Sequence, residues 1–324
     1  MEEKIDLIAS YQDMATRLDV FVSKNLGLSR SHAARIIDQG RVLVDGDLKK
    51  PSFRLRSGMH VHGAWEKQEE TQKLTADEIL LDIIYEDPWI VVISKPAGMT
   101  VHPGAGTTRD TLVNALLSRY PEIVSVGDPA RPGIVHRLDK LTSGIMVIAR
   151  TPEAHAILSA AFKAHEHRRE YLAVCYGRMT REKGTIETFM QRNPRDRKRM
   201  TSRTGEGRKA VTHWEAVTEW KEFSLLRLSL ETGRTHQIRV HLSDTGHPVA
   251  GDPVYGGRRR ANAVTDAKLR AHVKGIKRQM LHAAMLGIRH PDTGEYMEFT
   301  CDMPDDMKVF IAVLEEIDVP SLTP

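Results

Sequence analysis

The densest run of potentially reactive groups is HRLDKLTSG, from His136 to Gly144, set directly before the apolar run IMVIA. Asp139 stands there between Arg137 and Lys140, and flanking positive charge keeps a carboxylate ionised. Such a carboxylate at a turn is suited to act as a nucleophile or to stabilise a sugar cation. An aspartate that only pairs Arg137 or caps a turn would show the same letters, because structural ion pairs also surround acids with charge. A second cluster is ETGRTHQIRVH, Glu231 to His241. Arg234 and Arg239 lie five apart in it, and either guanidinium could grip a carboxylate or phosphate with two parallel bonds. If this stretch is extended, Gln237 and Arg239 share one face, and Arg234, His236 and Ile238 share the other. A surface loop carrying one structural arginine is the plainer alternative. In a third cluster, Arg169-Glu170-Tyr171, the tyrosine opens a strand, where its ring could stack on a nucleobase or simply fill the core. His102, His213, His236 and His241 have no metal-ligand spacing, and buried or hydrogen-bonding roles are expected for them. No metal site is expected. The segment HPGAG at 102–106 lacks the lysine and the strand–helix context of a phosphate loop.

These clusters need a scaffold. Strands are predicted over Ile90–Ile93, Gly144–Ala149, Tyr171–Tyr176, Val211–Val217 and Leu225–Leu230, and helices over Thr111–Ser118, Pro152–Lys163 and Asp305–Ile317. Pro152 suits a first helical turn. Strands outnumber helices without a regular βαβ alternation, so an α+β domain with a mixed, mainly antiparallel sheet is expected. Ahead of it, residues 64–76 lack hydrophobic periodicity and read as a polar linker. Residues 17–63 read as a small lobe. Leu18, Phe21 and Val22 fall at helical spacing. Ser29 is placed to cap a second helix, whose Ala34, Ile36 and Ile37 face inward. Gly40 ends that helix, and Asp45-Gly46 turns a short hairpin. Residues 1–16 are left as an N-terminal extension, and residues 77–324 as the larger domain.

The chain has 324 residues, room for about two domains. No apolar run reaches the ~18 residues of a membrane span, and the acidic N-terminus has no secretory core. Two distant cysteines, Cys175 and Cys301, exclude a disulfide framework, and a reduced, cytoplasmic setting is expected. Net charge is only +4, but the charge is segregated. Residues 17–63 hold nine Lys/Arg against four acids, residues 192–209 eight against two, and residues 258–278 eight against one. Three such runs favour a phosphate-rich partner.

The segment RLDVFVSKNLGLSRSHAARIIDQGRVLVDG resembles the S4 RNA-binding domain, which implies that the second helix, with Arg30 and Arg35, docks on structured RNA. Together with HRLDKLTSG, KPAGMTVHPGAG at 95–106 and GHPVAGDPVYGG at 246–257, the chain resembles the pseudouridine synthases of the large-ribosomal-subunit type over nearly all of residues 17–315. The resemblance implies a catalytic domain of pseudouridine-synthase type behind a small S4-like lobe. It also implies a partner in large-subunit ribosomal RNA, free or in a pre-ribosomal particle. On it, Asp139 matches the catalytic aspartate and Arg137 the arginine that enters the RNA stack as the target uridine flips out. Tyr171 matches the tyrosine that stacks on the flipped base. Arg239, rather than Arg234, matches the arginine that pairs with the aspartate, and Ile238 supplies apolar packing. Arg234 is then left as an RNA contact.

That reaction rearranges atoms without redox or phosphate transfer, so no cofactor is expected, and neither a membrane nor a second subunit is implied. Three rivals make different demands. A non-catalytic RNA-binding factor would make Asp139 dispensable. A nucleoside hydrolase or glycosidase would need a second carboxyl as general acid. A small-molecule α+β enzyme would leave the S4-like lobe idle.

Overall fold

The computed structural model describes residues 2–28, 30–66, 74–104, 107–196 and 199–317. The chain divides into two compact units between Lys73 and Leu74. Residues 67–73 of the expected linker, Ser29 with its capping role, and Arg197 and Lys198 of one basic run lie outside the described residues.

The first unit packs two helices, α1 (Leu18–Leu26) and α2 (Arg30–Asp38), on a four-stranded antiparallel sheet. Its strands are β1 (Glu2–Ile8), β2 (Val42–Val44), β3 (Asp47–Leu48) and β4 (His60–Glu66), in the order β1-β4-β2-β3. Leu18, Phe21 and Val22 of α1 are buried, and burial of such side chains stabilises by roughly 1.5–3 kcal/mol each. On α2 the inward residue is Ala33, not Ala34. Ala33, Ile36 and Ile37 are the i, i+3, i+4 set that a single helix face requires. Gly40 takes a φ of +73° where α2 ends, and Asp45 and Gly46 take +52° and +86°, the paired left-handed conformation of a type I′ hairpin turn. Two boundaries differ from expectation. Residues 2–8 are no extension, because β1 pairs with β4 from Glu2↔Glu66 to Ile8↔His60. Residues 64–66 are no linker, because β4 runs through them and Trp65 is 3% exposed within the core.

The second unit is built on one long sheet. In chain order its elements are β5 (Asp82–Glu86), β6 (Ile90–Lys95), α3 (Leu112–Arg119), β7 (Ser143–Ala149), α4 (Pro152–Ala164), β8 (Arg168–Tyr176), β9 (Lys183–Arg192), β10 (Met200–Thr201), β11 (Arg208–Glu219), β12 (Phe223–Leu230), α5 (Gln237–Asp244), α6 (Gly257–Arg260), α7 (Ala267–Gly275), β13 (Leu281–Arg289), β14 (Tyr296–Thr300) and α8 (Asp305–Ile317). The spatial order is β10-β9-β11-β12-β8-β13-β7-β6-β5, with β14 alongside β13. Every described pairing is antiparallel except β13 with β7. This is the mixed, mainly antiparallel α+β architecture expected.

β7 is buried along its whole length, which explains why IMVIA is continuously apolar rather than alternating. Its parallel contact with β13 is confined to His282↔Ser143 and Ala283↔Gly144. There the backbones come so close that a Cβ on Gly144, whose φ is +119°, would stand 2.1 Å from the Ala283 carbonyl oxygen. The last residue of HRLDKLTSG is glycine for that reason, and the approach fixes the loop that carries Asp139.

Candidate active site

Asp139 occupies the loop that enters β7, and three contacts hold this loop. His136 Nε2 accepts the Val147 N–H at 3.0 Å, tying the loop to the strand it precedes. Desolvation brings the His136 imidazole down to about 3, so it serves as a neutral acceptor. Thr142 N–H donates to the Asp139 carbonyl at 3.0 Å. From below, the fully buried Lys95 donates to the carbonyls of Pro96, Met99 and Lys140 at 2.8, 3.0 and 3.3 Å. One side-chain nitrogen thus joins the 96–99 turn to the aspartate loop.

The partner of Asp139 is Arg239. Its Nη1 donates to Asp139 Oδ2 at 2.9 Å, while its Nε and Nη2 donate to Asp252 Oδ2 and Oδ1 at 2.7 and 3.0 Å. Asp252 also accepts from the N–H groups of Val254 and Tyr255 at 2.7 and 2.9 Å. The Arg239 side chain is 4% exposed and that of Asp252 0%, against 22% for Asp139. Asp252 is therefore the anchor, and Asp139 is the carboxylate that faces outward. Burial disfavours the charge on both anchor groups. The Arg239–Asp252 hydrogen bonds and charges outweigh it, holding the guanidinium above its ordinary range and the carboxyl below its own.

Arg234 does not share this role: its Nε donates to the Lys209 carbonyl at 3.1 Å. Nor is the stretch extended. Residues Gln237–Asp244 form α5, capped by His236 at a φ of +58°, so the faces expected of a strand do not apply. Gln237 stitches the helix start to its neighbours, accepting from Thr232 Oγ1 and Arg234 N–H and donating to Val211 O and Thr212 Oγ1. Ile238 is buried and lines the pocket.

Three side chains complete the surroundings of the carboxylate. His236 Nε2 stands 3.8 Å from Asp139 Oδ1, and its Nδ1 is 2.8 Å from the Tyr255 hydroxyl. That hydroxyl accepts the Met200 N–H at 2.9 Å, leaving its own proton for Nδ1, which places the imidazole N–H on the Asp139 side. The Tyr255 ring lies beneath the Arg239 guanidinium at 5.0 Å. Tyr171, 6% exposed, opens from β8, and desolvation holds its phenol above the ordinary range.

These groups surround a pocket of about 520 Å³, lined by Asp139, Arg137, Tyr171, Ile238 and Arg239 among others. Asp139 is the one acid among the lining residues, whereas Arg137, Lys163, Arg169, Arg234 and Arg239 are all cations. Arg137 is exposed at the pocket, and no contact with Asp139 ties it down among the described residues. Arg30 and Arg35 belong to the other unit, on α2. Arg30 donates to Asp19 at 3.2 Å, and both arginines are exposed. The sequence reading singled out neither Asp252 nor Tyr255, although both sit in GHPVAGDPVYGG. It also gave His236 no place near the carboxylate, and named Arg169 without a role. Among the described residues no cluster of metal-ligating side chains occurs, and no helix is long and apolar enough to cross a membrane.

Comparison with known proteins gives a consistent result. Residues 89–244 match the RNA pseudouridylate synthase family and residues 16–61 the S4 domain. The chain is 42% identical over 288 residues to ribosomal large subunit pseudouridine synthase D of Xanthomonas campestris, spanning 89% of this chain and 85% of that one. Its namesake in Vibrio parahaemolyticus is 40% identical over 98% of this chain and 97% of its own. An uncharacterized RNA pseudouridine synthase of Chloroflexus aurantiacus is 44% identical over 97% and 95%. Among solved structures, human RNA pseudouridylate synthase domain containing 1 superposes with a TM-score of 0.56 at 26% identity, covering 76% of this chain and 90% of that one.

Proposed function

The chain belongs to the RNA pseudouridylate synthases, isomerases that convert uridine to pseudouridine, and we propose that it acts on large-subunit ribosomal RNA with Asp139 as its catalytic carboxylate. The observation that carries this reading is the chain Asp139–Arg239–Asp252. It presents one half-buried carboxylate to the pocket and fixes it through a guanidinium that is itself locked from behind. A carboxylate so placed either attacks C1′ or takes a ribose proton as the N1–C1′ bond breaks. The uracil then turns, and C5 joins C1′. The pocket cannot reach a base inside a duplex, so the target leaves its stack, at a cost of a few kcal/mol that is smallest in a loop. Exposed Arg137 fills the vacated space, Tyr171 holds the flipped base, and Ile238 packs beside it. Arg30 and Arg35 on the S4 unit, with Arg234 and the basic run at 192–209, contact phosphates and position the RNA rather than read its sequence. The names of the relatives point to ribosomal RNA, free or within a pre-ribosomal particle. The enzyme is proposed to work as a monomer in the cytoplasm, one chain supplying every site residue named above.

The test is tritium release from large-subunit ribosomal RNA labelled at uracil C5, with wild type and Asp139→Asn, on naked RNA and on large-subunit particles. Release by wild type alone, with RNA binding retained by the variant, is the expected result. Release by both overturns the role of Asp139. Release by neither on either substrate overturns the proposed target.

A further inference from the structure

Besides the exposed Arg137 and Lys163, the pocket holds one cation, set further in, that its own acid leaves unanswered. Arg239 is satisfied by two carboxylates, and Arg234 is tied to a backbone carbonyl. Arg169, by contrast, forms no ion pair among the described residues, and its Nε is buried without a hydrogen-bond partner. It stands on β8 two residues before Tyr171, on the same face of the strand. Its charge and a side-chain hydrogen bond act on the Tyr171 phenol, and its charge acts on the imidazoles of His136 and His167, so it lies among the inner lining groups. Desolvation brings those two imidazoles down to about 3 and about 4, so neither competes with it as a cation. Its guanidinium packs closely on a backbone: a Cβ on Gly233 would stand 3.1 Å from Nη1 and 3.3 Å from Nη2. Leaving a buried donor unpaired costs about 1–3 kcal/mol, which argues for a ligand that pairs it during turnover.

We propose that Arg169 binds the detached uracil as an anion, a catalytic contact distinct from the Arg239–Asp139 pair. The proposal rests on the synthase reading. When the N1–C1′ bond breaks, its electron pair stays on uracil, delocalised over N1 and the ring carbonyl oxygens. C1′ is meanwhile bonded by the Asp139 carboxylate, or C2′ loses its proton to that carboxylate and the C2′–H electron pair forms a C1′–C2′ double bond. After the ring turns, an electron pair of the uracil anion forms the C5–C1′ bond. The carboxylate leaves, or the 2′-proton returns. The C5 proton departs to a base, N1 takes up a proton, and no atom is gained or lost overall. Negative charge therefore exists on the base only between the two bonds, where a guanidinium beside the stacking tyrosine meets it. The place argues against a phosphate as ligand. Backbone phosphates stay at the mouth with the ribose, whereas Arg169 has a buried Nε and neighbours Tyr171, which is 6% exposed.

The experiment compares wild type, Arg169→Gln and Arg169→Lys under single-turnover conditions, on one stem-loop RNA carrying either uridine or 5-fluorouridine at the target, with the rate read as loss of the N1-linked target nucleoside because 5-fluorouridine has no C5 proton to release. Fluorine withdraws electrons and makes uracil a better leaving anion that needs less help. With uridine, Arg169→Gln is expected to lose on the order of 100-fold in rate, as when a single anion-stabilising donor is removed. With 5-fluorouridine the loss should shrink to about 10-fold or less, by the same relation between charge development and donor strength. Arg169→Lys should fall between the two. The ratio of the two substrates is internal to each variant, so a smaller folded fraction cancels. An equal loss on both substrates, or a loss confined to RNA affinity as a phosphate contact gives, overturns the proposal. An inactive wild type on both RNAs would instead overturn the synthase reading itself.

Discussion

Asp252→Asn should uncouple the anchor of the active site from its reactive face. The substitution is nearly isosteric. One amide oxygen can still accept from the Val254 and Tyr255 N–H groups, 2.7 and 2.9 Å away in the wild type. The other position becomes an NH₂ facing Arg239 Nε, which now donates to a carboxylate oxygen at 2.7 Å. A charge-assisted bond is thus replaced by two opposed donors, and a guanidinium only 4% exposed keeps a single, more exposed counter-charge. Removing one partner of a buried pair costs about 3–5 kcal/mol. Against a typical total of about 5–15 kcal/mol the chain still folds. At about 2–4 °C per kcal/mol for a unit of this size, Tm falls by roughly 6–20 °C. Arg239 then loses the Nε bond and keeps only Nη2 on the amide oxygen, so its plane is no longer fixed from two sides, and a displacement near 1 Å of a positioning group costs on the order of 100-fold in rate. Asp252 has a fully buried side chain, so RNA affinity should hold. Calorimetry and single-turnover tritium release measure the two effects side by side. Asp139→Asn is the contrasting control, because Asp139 is 22% exposed and its loss should abolish turnover with a smaller change in Tm. An Asp252→Asn variant within 2 °C of about the wild-type Tm and within about threefold of its rate would refute the anchoring argument.

Two further outcomes follow from the loop that carries Asp139. Gly144→Ala sets a methyl 2.1 Å from the Ala283 carbonyl at a φ of +119°, and should cost at least about 3 kcal/mol and depress turnover together, read by denaturant melts and tritium release; a stable, active variant would show that the β7–β13 approach is not needed. Lys95 has a folded-state value near 7 through desolvation, below its unfolded value of 10.5. Between those values the unfolded chain holds more protons, so this group makes stability rise with pH from about 7 to about 10.5, and the margin of wild type over Lys95→Met should widen across that window. A margin that is flat from pH 7 to about 9.5 in paired thermal melts would exclude the shift.

What the sequence revealed depended on how local the cause was. The strand after HRLDKLTSG and the helix Asp305–Ile317 were legible because each carries its own apolar pattern. Gln237–Asp244 was not, for a physical reason. Ile238, Val240 and Leu242 alternate as in a strand, yet every residue from Gln237 to Leu242 is buried, including Arg239 and His241. A helix covered on all sides has no polar face to set its period. Asp139 stood out from its neighbours, but its anchor Asp252 is 113 positions away and nothing near it marks it as the partner of Arg239. The N-terminal strand failed in the same way. Its alternation in EEKIDLI is short, and its pairing partner β4 lies about sixty residues downstream, where Trp65 had been set aside in a polar stretch.

The arrangement of acids also explains why this pocket isomerises rather than hydrolyses. Cutting a glycosidic bond with water generally takes two carboxyl groups, one of them free to protonate the departing group. Asp139 is the one acid among the residues that line the pocket. The second carboxylate of the site, Asp252, accepts two bonds from Arg239 and two from backbone N–H groups, so both of its oxygens are engaged. Its side chain is fully buried and its carboxyl is held below the ordinary range, so it has neither a proton to give nor a path to the base. The remaining lining charges are guanidinium and ammonium groups, with His136 and His167 kept neutral. On the proposed chemistry, a site that offers no acid to the departing uracil leaves it an anion, and a site rich in cations keeps that anion beside C1′. Retention of the base is the condition for its return through C5, and on that chemistry the condition is met by charge rather than by a covalent tether to the ring.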